Sequence, residues 1–250
     1  MNKKMIMNKI ILYCLPYAGG SSVIYSKWRQ YLNPNIELRP IELSGRGKRF
    51  SESLYEDIQD AVEDVFNKIK DEIQENQFML FGHSMGGLIT YELAQYIRKS
   101  NLRNPLHAFV SGRGAPNLIR PNEKMYSKMD SEKFRKEVLN LGGTPPEFFN
   151  HPELLDLFLP ILKNDFRIVE TYKCDDQVDP LNIDMTVLLG KDDELTIDKN
   201  ETWKEYTTQK CNIIDIDGGH FFINEQTIKI TEIINNVSAS IHKEKMMRFA

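Results

Sequence analysis

The sequence predicts an α/β fold in which a mostly parallel sheet carries helices on both faces, and three observations lead there. Six short apolar, β-rich runs are each ended by glycine, proline or polar residues. Segments with helical spacing separate these runs, as expected for parallel strands joined by crossover helices. A Gly-x-Ser-x-Gly pentad sits where one predicted strand meets the next helix. At 250 residues the chain can bury a sizeable core, so one domain spanning 1–250 is expected.

Taken in order, the predicted strands are 10–15, 36–43, 78–81, 106–111, 185–189 and 212–216. Their apolar residues run on rather than alternate, which suits strands buried on both faces. Helical spacing occupies 22–32, 54–73, 85–98, 199–207 and 225–237. Residues 121–176 break the alternation with helical segments at 131–141 and 152–172 and no strand, so they read as an insertion. Apolar residues there, including Leu155, Phe158 and Leu162, suit extra core or a cover over a pocket, and periodicity alone leans to core. The charged tail from 241 to 250 carries no structural signal and is expected to fray.

Charge and composition narrow the function classes. A formal charge of −4 supplies no broad basic surface, so nucleic acid is not an expected partner. The densest basic run, Arg46-Gly47-Lys48-Arg49, reads as solvated surface and at most a weak interaction site. Cys14, Cys174 and Cys211 are an odd, widely spaced set, which argues for a reducing, cytoplasmic setting. The apolar run at 10–13 follows a lysine-bearing start but is interrupted by Asn8 and Lys9 and ended by Pro16, so no export signal is expected. No stretch approaches the roughly 20 apolar residues of a membrane span.

The pentad Gly82-His83-Ser84-Met85-Gly86 follows the strand at 78–81 and opens the helix at 85–98. A serine on so tight a turn is presented at the helix N-terminus, while flanking glycines remove Cβ atoms that would collide with neighbouring chain. Strand before and helix after make Ser84 the candidate nucleophile of an α/β-hydrolase fold. Its hydroxyl needs a base, and the base needs an orienting acid. Among five histidines, His83 lies in the turn itself, His107 begins a strand, His151 is in the insertion and His242 is in the tail. His220 alone follows the last strand, on a loop after Asp217-Gly218-Gly219, and completes the chain order Ser, acid, His. The acid belongs after the strand at 185–189, where Asp192, Asp193 and Glu194 stand in a row, and spacing does not choose among them. An oxyanion hole takes one backbone N–H from Met85 and one from the glycine-bearing loop 16–21, with Ala18 favoured. No cluster has metal-ligand spacing and the glycine loop lacks a P-loop ending, so neither metal nor cofactor is expected.

These residues resemble the type II thioesterases that serve nonribosomal peptide and polyketide synthetases. The resemblance rests on Pro16-Tyr17-Ala18-Gly19-Gly20, Glu42-Leu43-Ser44-Gly45-Arg46-Gly47, Gly82-His83-Ser84-Met85-Gly86-Gly87, Ser111-Gly112-Arg113-Gly114-Ala115-Pro116, Leu141-Gly142-Gly143-Thr144-Pro145 and Asp217-Gly218-Gly219-His220-Phe221-Phe222. It departs from the family at Ser44 and Glu194, where proline is usual, and at Lys163, where arginine is frequent. The family pattern puts the acid three residues after a strand-ending glycine, which selects Asp193 after Gly190. It also implies that 121–176 is a helical lid and that the substrate is an acyl thioester on the phosphopantetheine arm of a carrier protein. That carrier would be a transient partner of a monomeric, editing enzyme. A general carboxylesterase or lipase of the same fold is the alternative, and a noncatalytic binding protein on this scaffold is the reading from another class.

Overall fold

The computed structural model describes residues 9–117, 124–141, 143, 152–174, 178–196 and 201–248. The apolar runs form strands β1 (Ile10–Leu15), β2 (Ile36–Pro40), β3 (Gln77–His83), β4 (His107–Ser111), β5 (Asp184–Gly190) and β6 (Cys211–Ile216). They pair in the order β2-β1-β3-β4-β5-β6, and every pairing is parallel. All carboxyl ends therefore lie along one edge of the sheet. Strand order reverses between β1 and β3, the position at which parallel sheets open a crevice for ligands. The loop after β1 and the turn after β3 flank that crevice.

Alternate strand residues face opposite sides and build two cores. Ile11, Tyr13, Leu80, Val110 and Val187 pack with helices α1 (Ile58–Glu75) and α2 (Met85–Lys99). Leu12, Cys14, Met79, Phe81 and Phe109 face the other side, against Tyr25 and Trp28, against Phe222 and Ile223 of the short helix α5 (Phe222–Glu225), and against Ile230 and Ile234 of helix α6 (Thr227–Arg248). Helix α1 is started by Asp57, whose carboxylate accepts from the Asp60 N–H at 2.8 Å.

Two expectations need correction. Residues Ser22–Gln30 and Glu201–Tyr206 wind as 3₁₀ helices rather than α-helices. In the first, Tyr25 and Trp28 are both fully buried against Phe81, and a period of three residues puts both on one side. The tail likewise carries structure where it is described, since α6 continues to Arg248, with 249–250 outside the described residues. Its register against the chain before β2 is fixed by Asn235, which accepts from the Asn33 N–H and donates to the Tyr31 carbonyl, each at 2.8 Å. Asn35 donates to Ser238 Oγ at 3.0 Å, one helical turn further on.

Between β4 and β5 the described residues hold a 3₁₀ turn (Tyr126–Lys128) and helices α3 (Ser131–Leu141) and α4 (Pro152–Glu170). The expected limits of the insertion, 121 and 176, lie outside the described residues. Tyr126, Phe134, Val138 and Leu162 form a small core of their own. Phe158 and Leu162 turn toward the loop after β1, and this places the insertion over the carboxyl edge of the sheet. Among the described residues no helix is long and apolar enough to cross a membrane.

Candidate active site

Backbone geometry positions Ser84. It caps α2 with φ 54° and ψ −114°, a conformation that is rare for a residue with a side chain and costs on the order of 1–3 kcal/mol. Its N–H donates to the Ser111 carbonyl at 2.7 Å, which ties the turn to β4. The two pentad glycines allow the approach. A Cβ on Gly82 would lie 1.9 Å from the Gly86 carbonyl oxygen, and one on Gly86 would lie 2.2 Å from that of Leu15. Both clashes are with backbone, so no side-chain rotation relieves them. Gly82→Ala is accordingly expected to cost several kcal/mol, at or beyond the usual range for single substitutions, and to leave little folded protein. Circular dichroism melting checks this, and a Tm near that of the wild type would contradict it.

Ser84, His220 and Asp193 lie in one hydrogen-bonded chain. His220 Nε2 is 2.9 Å from Ser84 Oγ, and His220 Nδ1 is 2.9 Å from Asp193 Oδ2. The second Asp193 oxygen accepts from the Leu195 N–H at 3.0 Å. Burial pushes the Asp193 carboxyl up, but the hydrogen bond and charge of His220, with the Leu195 N–H, hold it below the ordinary carboxylate range. Of the three acidic neighbours, Asp193 is 1% exposed, whereas Asp192 and Glu194 face solvent. The Asp192 N–H donates to the Gly218 carbonyl at 3.1 Å, so the acid loop and the histidine loop are joined by backbone as well.

His83 has a separate role in this arrangement. Its Nε2 lies 2.8 Å from the His220 carbonyl, which only accepts, so Nε2 carries the proton. Nδ1 then accepts from Ser111 Oγ at 2.9 Å. The fully buried ring thus ties the backbone of His220 to β4. Sequence reading placed His83 in the turn without finding this bond. His107 is buried against Thr186, with 2.8 Å between Nε2 and Oγ1. His242 is bonded within α6 to the Ser238 carbonyl at 2.8 Å, and His151 lies outside the described residues.

Burial lowers His83 to about 3 and His107 to about 4. Unfolding releases both to the ordinary range near 6.5, so the unfolded chain binds more protons below that pH. Stability from these residues is complete above about pH 6.5 and declines as pH falls toward 4 and then 3. Each contributes a slope approaching about 1.4 kcal/mol per pH unit. Denaturant melts between pH 7 and 4.5 check this, and a flat profile would contradict it.

A cavity of about 240 Å³ opens over Ser84 and His220. Ala18 and Met85 lie on its wall, and its upper part is apolar, with Val138, Leu141, Phe158, Leu162 and Phe166 from the helical insertion. Met85 opens α2, so its N–H has no acceptor within the helix. In the loop after β1 the Gly20 N–H donates to the Tyr17 carbonyl at 2.8 Å and the Gly19 N–H to Asp165 Oδ2 at 2.7 Å. Those two donors are committed, and Ala18, which precedes them, is part of the cavity wall. Glu42 clamps the end of the loop by accepting from the Ser22 N–H and the hydroxyls of Ser21 and Ser22, at 3.1, 3.1 and 2.8 Å.

The basic run at 46–49 is only in part the solvated surface that sequence suggested: Lys48 is exposed, but both arginines are paired. Arg46 is 5% exposed and forms a bidentate pair with Asp165 of α4 at 2.7 and 2.8 Å. Arg49 is half-buried and bonded to Glu52 and Asp64. No local signal marks Arg46 and Asp165, because 119 residues separate them.

Comparison with known proteins agrees with this geometry. The thioesterase domain family matches residues 10–241. Linear gramicidin dehydrogenase LgrE of Brevibacillus parabrevis is 34% identical over 236 residues, covering 93% of this chain and 89% of its own. The crystal structure of ClbQ from the colibactin NRPS/PKS pathway superposes with a TM-score of 0.88 at 34% identity, covering 94% of this chain and 98% of that one. The type II thioesterase BorB from the borrelidin biosynthetic cluster gives 0.82 at 29% identity, with 92% of each chain covered. The chain therefore belongs to the thioesterase domain family, as a thioester hydrolase of the α/β-hydrolase fold whose relatives include type II thioesterases of NRPS and PKS pathways.

Proposed function

We propose that this thioesterase is an editing enzyme that removes aberrant acyl groups from the phosphopantetheine arms of carrier proteins. The observation that carries the reading is the Ser84-His220-Asp193 chain beneath an apolar cavity sized for an acyl group. Ser84 Oγ attacks the thioester carbonyl as His220 Nε2 takes its proton, and Asp193 stabilises the imidazolium. The N–H groups of Met85 and Ala18 hold the oxyanion. The C–S bond breaks, His220 returns the proton to the departing pantetheine sulfur, and an acyl ester remains on Ser84. Water then attacks that ester with His220 again as base, which releases the acid and restores the hydroxyl. The steps need no metal or cofactor.

In this reading residues 121–176 are a lid on a single domain, the carrier protein docks transiently at its mouth, and the enzyme works as a cytoplasmic monomer. Carrier-bound thioesters should be hydrolysed much faster than simple oxygen esters of the same acyl group. The check is kcat/KM measured for acyl carrier protein and for the matching p-nitrophenyl ester. Fast ester turnover without thioester preference would favour a general carboxylesterase, and no turnover of either would favour a noncatalytic scaffold.

A further inference from the structure

We propose that Asp165 and Arg46 are positioning residues for the oxyanion hole, and that through them the seat of the lid helix α4 sets the geometry of the loop that stabilises the transition state. The proposal rests on the assignment of Ala18 as an oxyanion donor. Its basis is the turn formed by residues 17–20. The Tyr17 carbonyl accepts from the Gly20 N–H, and Gly19 has φ +73°, the signature of a type II turn. In such a turn the central peptide, here between Ala18 and Gly19, is the unit that turns over when the conformation changes. Asp165 Oδ2 accepts from the Gly19 N–H at 2.7 Å and so holds that peptide by one end. Were the peptide to flip, the Ala18 carbonyl would meet the carboxylate instead, oxygen against oxygen.

Arg46 holds the peptide between Gly20 and Ser21. Its Nη1 donates to the Gly20 carbonyl at 3.2 Å, while its two Nη atoms grip both Asp165 oxygens and its Nε donates to the Ser44 carbonyl at 3.2 Å. Asp165 is completely buried and Arg46 nearly so, which makes this a dry, charge-assisted network in which each partner needs the other. The loop is thus gripped on two of its peptides, at the Gly19 N–H and at the Gly20 C=O, by a single ion pair.

The same helix carries part of the acyl cavity. Phe158, Leu162 and Phe166 line it, and Asp165 is adjacent to the last of them. A Cβ placed on Gly19 would lie 2.7 Å from Leu162 and 2.9 Å from Phe158, so helix and loop are in direct contact. Any movement of α4 therefore acts on the cavity wall and on the oxyanion loop together. An acyl chain that seats α4 correctly also holds the hole in its working shape, and one that displaces the helix disturbs it.

The test uses two variants, Asp165→Asn and the double replacement Asp165→Leu with Arg46→Met, which removes both charges at once and avoids a buried unpaired ion. Each is assayed with acyl carrier protein and with a trifluoromethyl ketone analogue, whose adduct on Ser84 bears an oxyanion. The expected result is a fall in kcat of about 100-fold, with KM within about threefold and analogue affinity falling in parallel with kcat/KM. The result that overturns the proposal is a kcat within about threefold of wild type in whichever variant keeps its fold by circular dichroism. Lost kcat with unchanged analogue affinity also overturns it, because the variant would then hold the oxyanion as well as the wild type does. The wild-type rate separates this proposal from the assigned function: if the wild type spares carrier thioesters yet cleaves p-nitrophenyl esters, the editing reading fails, and the variants are judged on the ester by the same criteria.

Discussion

Ser84→Ala should lower kcat for thioester hydrolysis by a factor on the order of 10⁴ to 10⁶, the scale on which a triad acting as a unit loses its nucleophile. The fold should not suffer. The hydroxyl is bonded to His220 and contributes to no core, and φ 54° is no better tolerated by alanine than by serine. A complementary variant, Ser84→Gly, should be equally inactive yet more stable, by about 1 kcal/mol, because glycine adopts this conformation without strain. Steady-state kinetics and thermal melting on the same preparations check both halves. Activity within tenfold of wild type for Ser84→Ala would remove Ser84 from the nucleophile's role.

Asp193→Asn should lower kcat by about 10⁴-fold, whereas Asp192→Asn, one residue earlier, should change it less than about threefold. The contrast follows from what each carboxylate touches. Asp193 is buried, with one oxygen on His220 Nδ1 and the other on the Leu195 N–H. An amide in its place either turns its NH₂ group toward His220 and forces Nδ1 to accept, leaving the proton on Nε2 and hence no base for Ser84, or keeps its oxygen there and brings NH₂ against the Leu195 N–H. Asp192 faces solvent, and its backbone N–H donates to the Gly218 carbonyl. Kinetics of the two variants side by side check the assignment, and the reverse order would move the acid to Asp192.

Much of this site was legible because its chemistry is local. The strand–serine–helix signature of 78–98 fixes the position of Ser84, and a histidine after the last strand has only one place to go in a parallel sheet. The choice of Asp193 over its acidic neighbours was not legible from spacing and came from family resemblance, since which of three adjacent loop carboxylates is buried depends on the path of residues 190–196. Arg46 with Asp165, and His83 with the His220 carbonyl, were invisible for the same reason, as each bond joins residues more than a hundred positions apart. Composition made Arg46 look like solvated surface, and only tertiary pairing with Asp165 explains its burial. The 3₁₀ winding of Ser22–Gln30 was hidden too, because Tyr25 and Trp28 are spaced three apart, which both helix types accommodate on one side over a single turn.

The central claim is that a carrier-bound thioester is hydrolysed through an acyl ester on Ser84. A rapid-quench single-turnover experiment tests it most directly: wild-type enzyme in excess is mixed with acyl carrier protein, stopped at millisecond intervals, digested and weighed by mass spectrometry. The account predicts that the peptide bearing Ser84 gains the mass of one acyl group, and that this adduct rises and decays as thioester is consumed and free acid appears. Consumption of the thioester with no acyl adduct, or with the adduct on another residue, would contradict it.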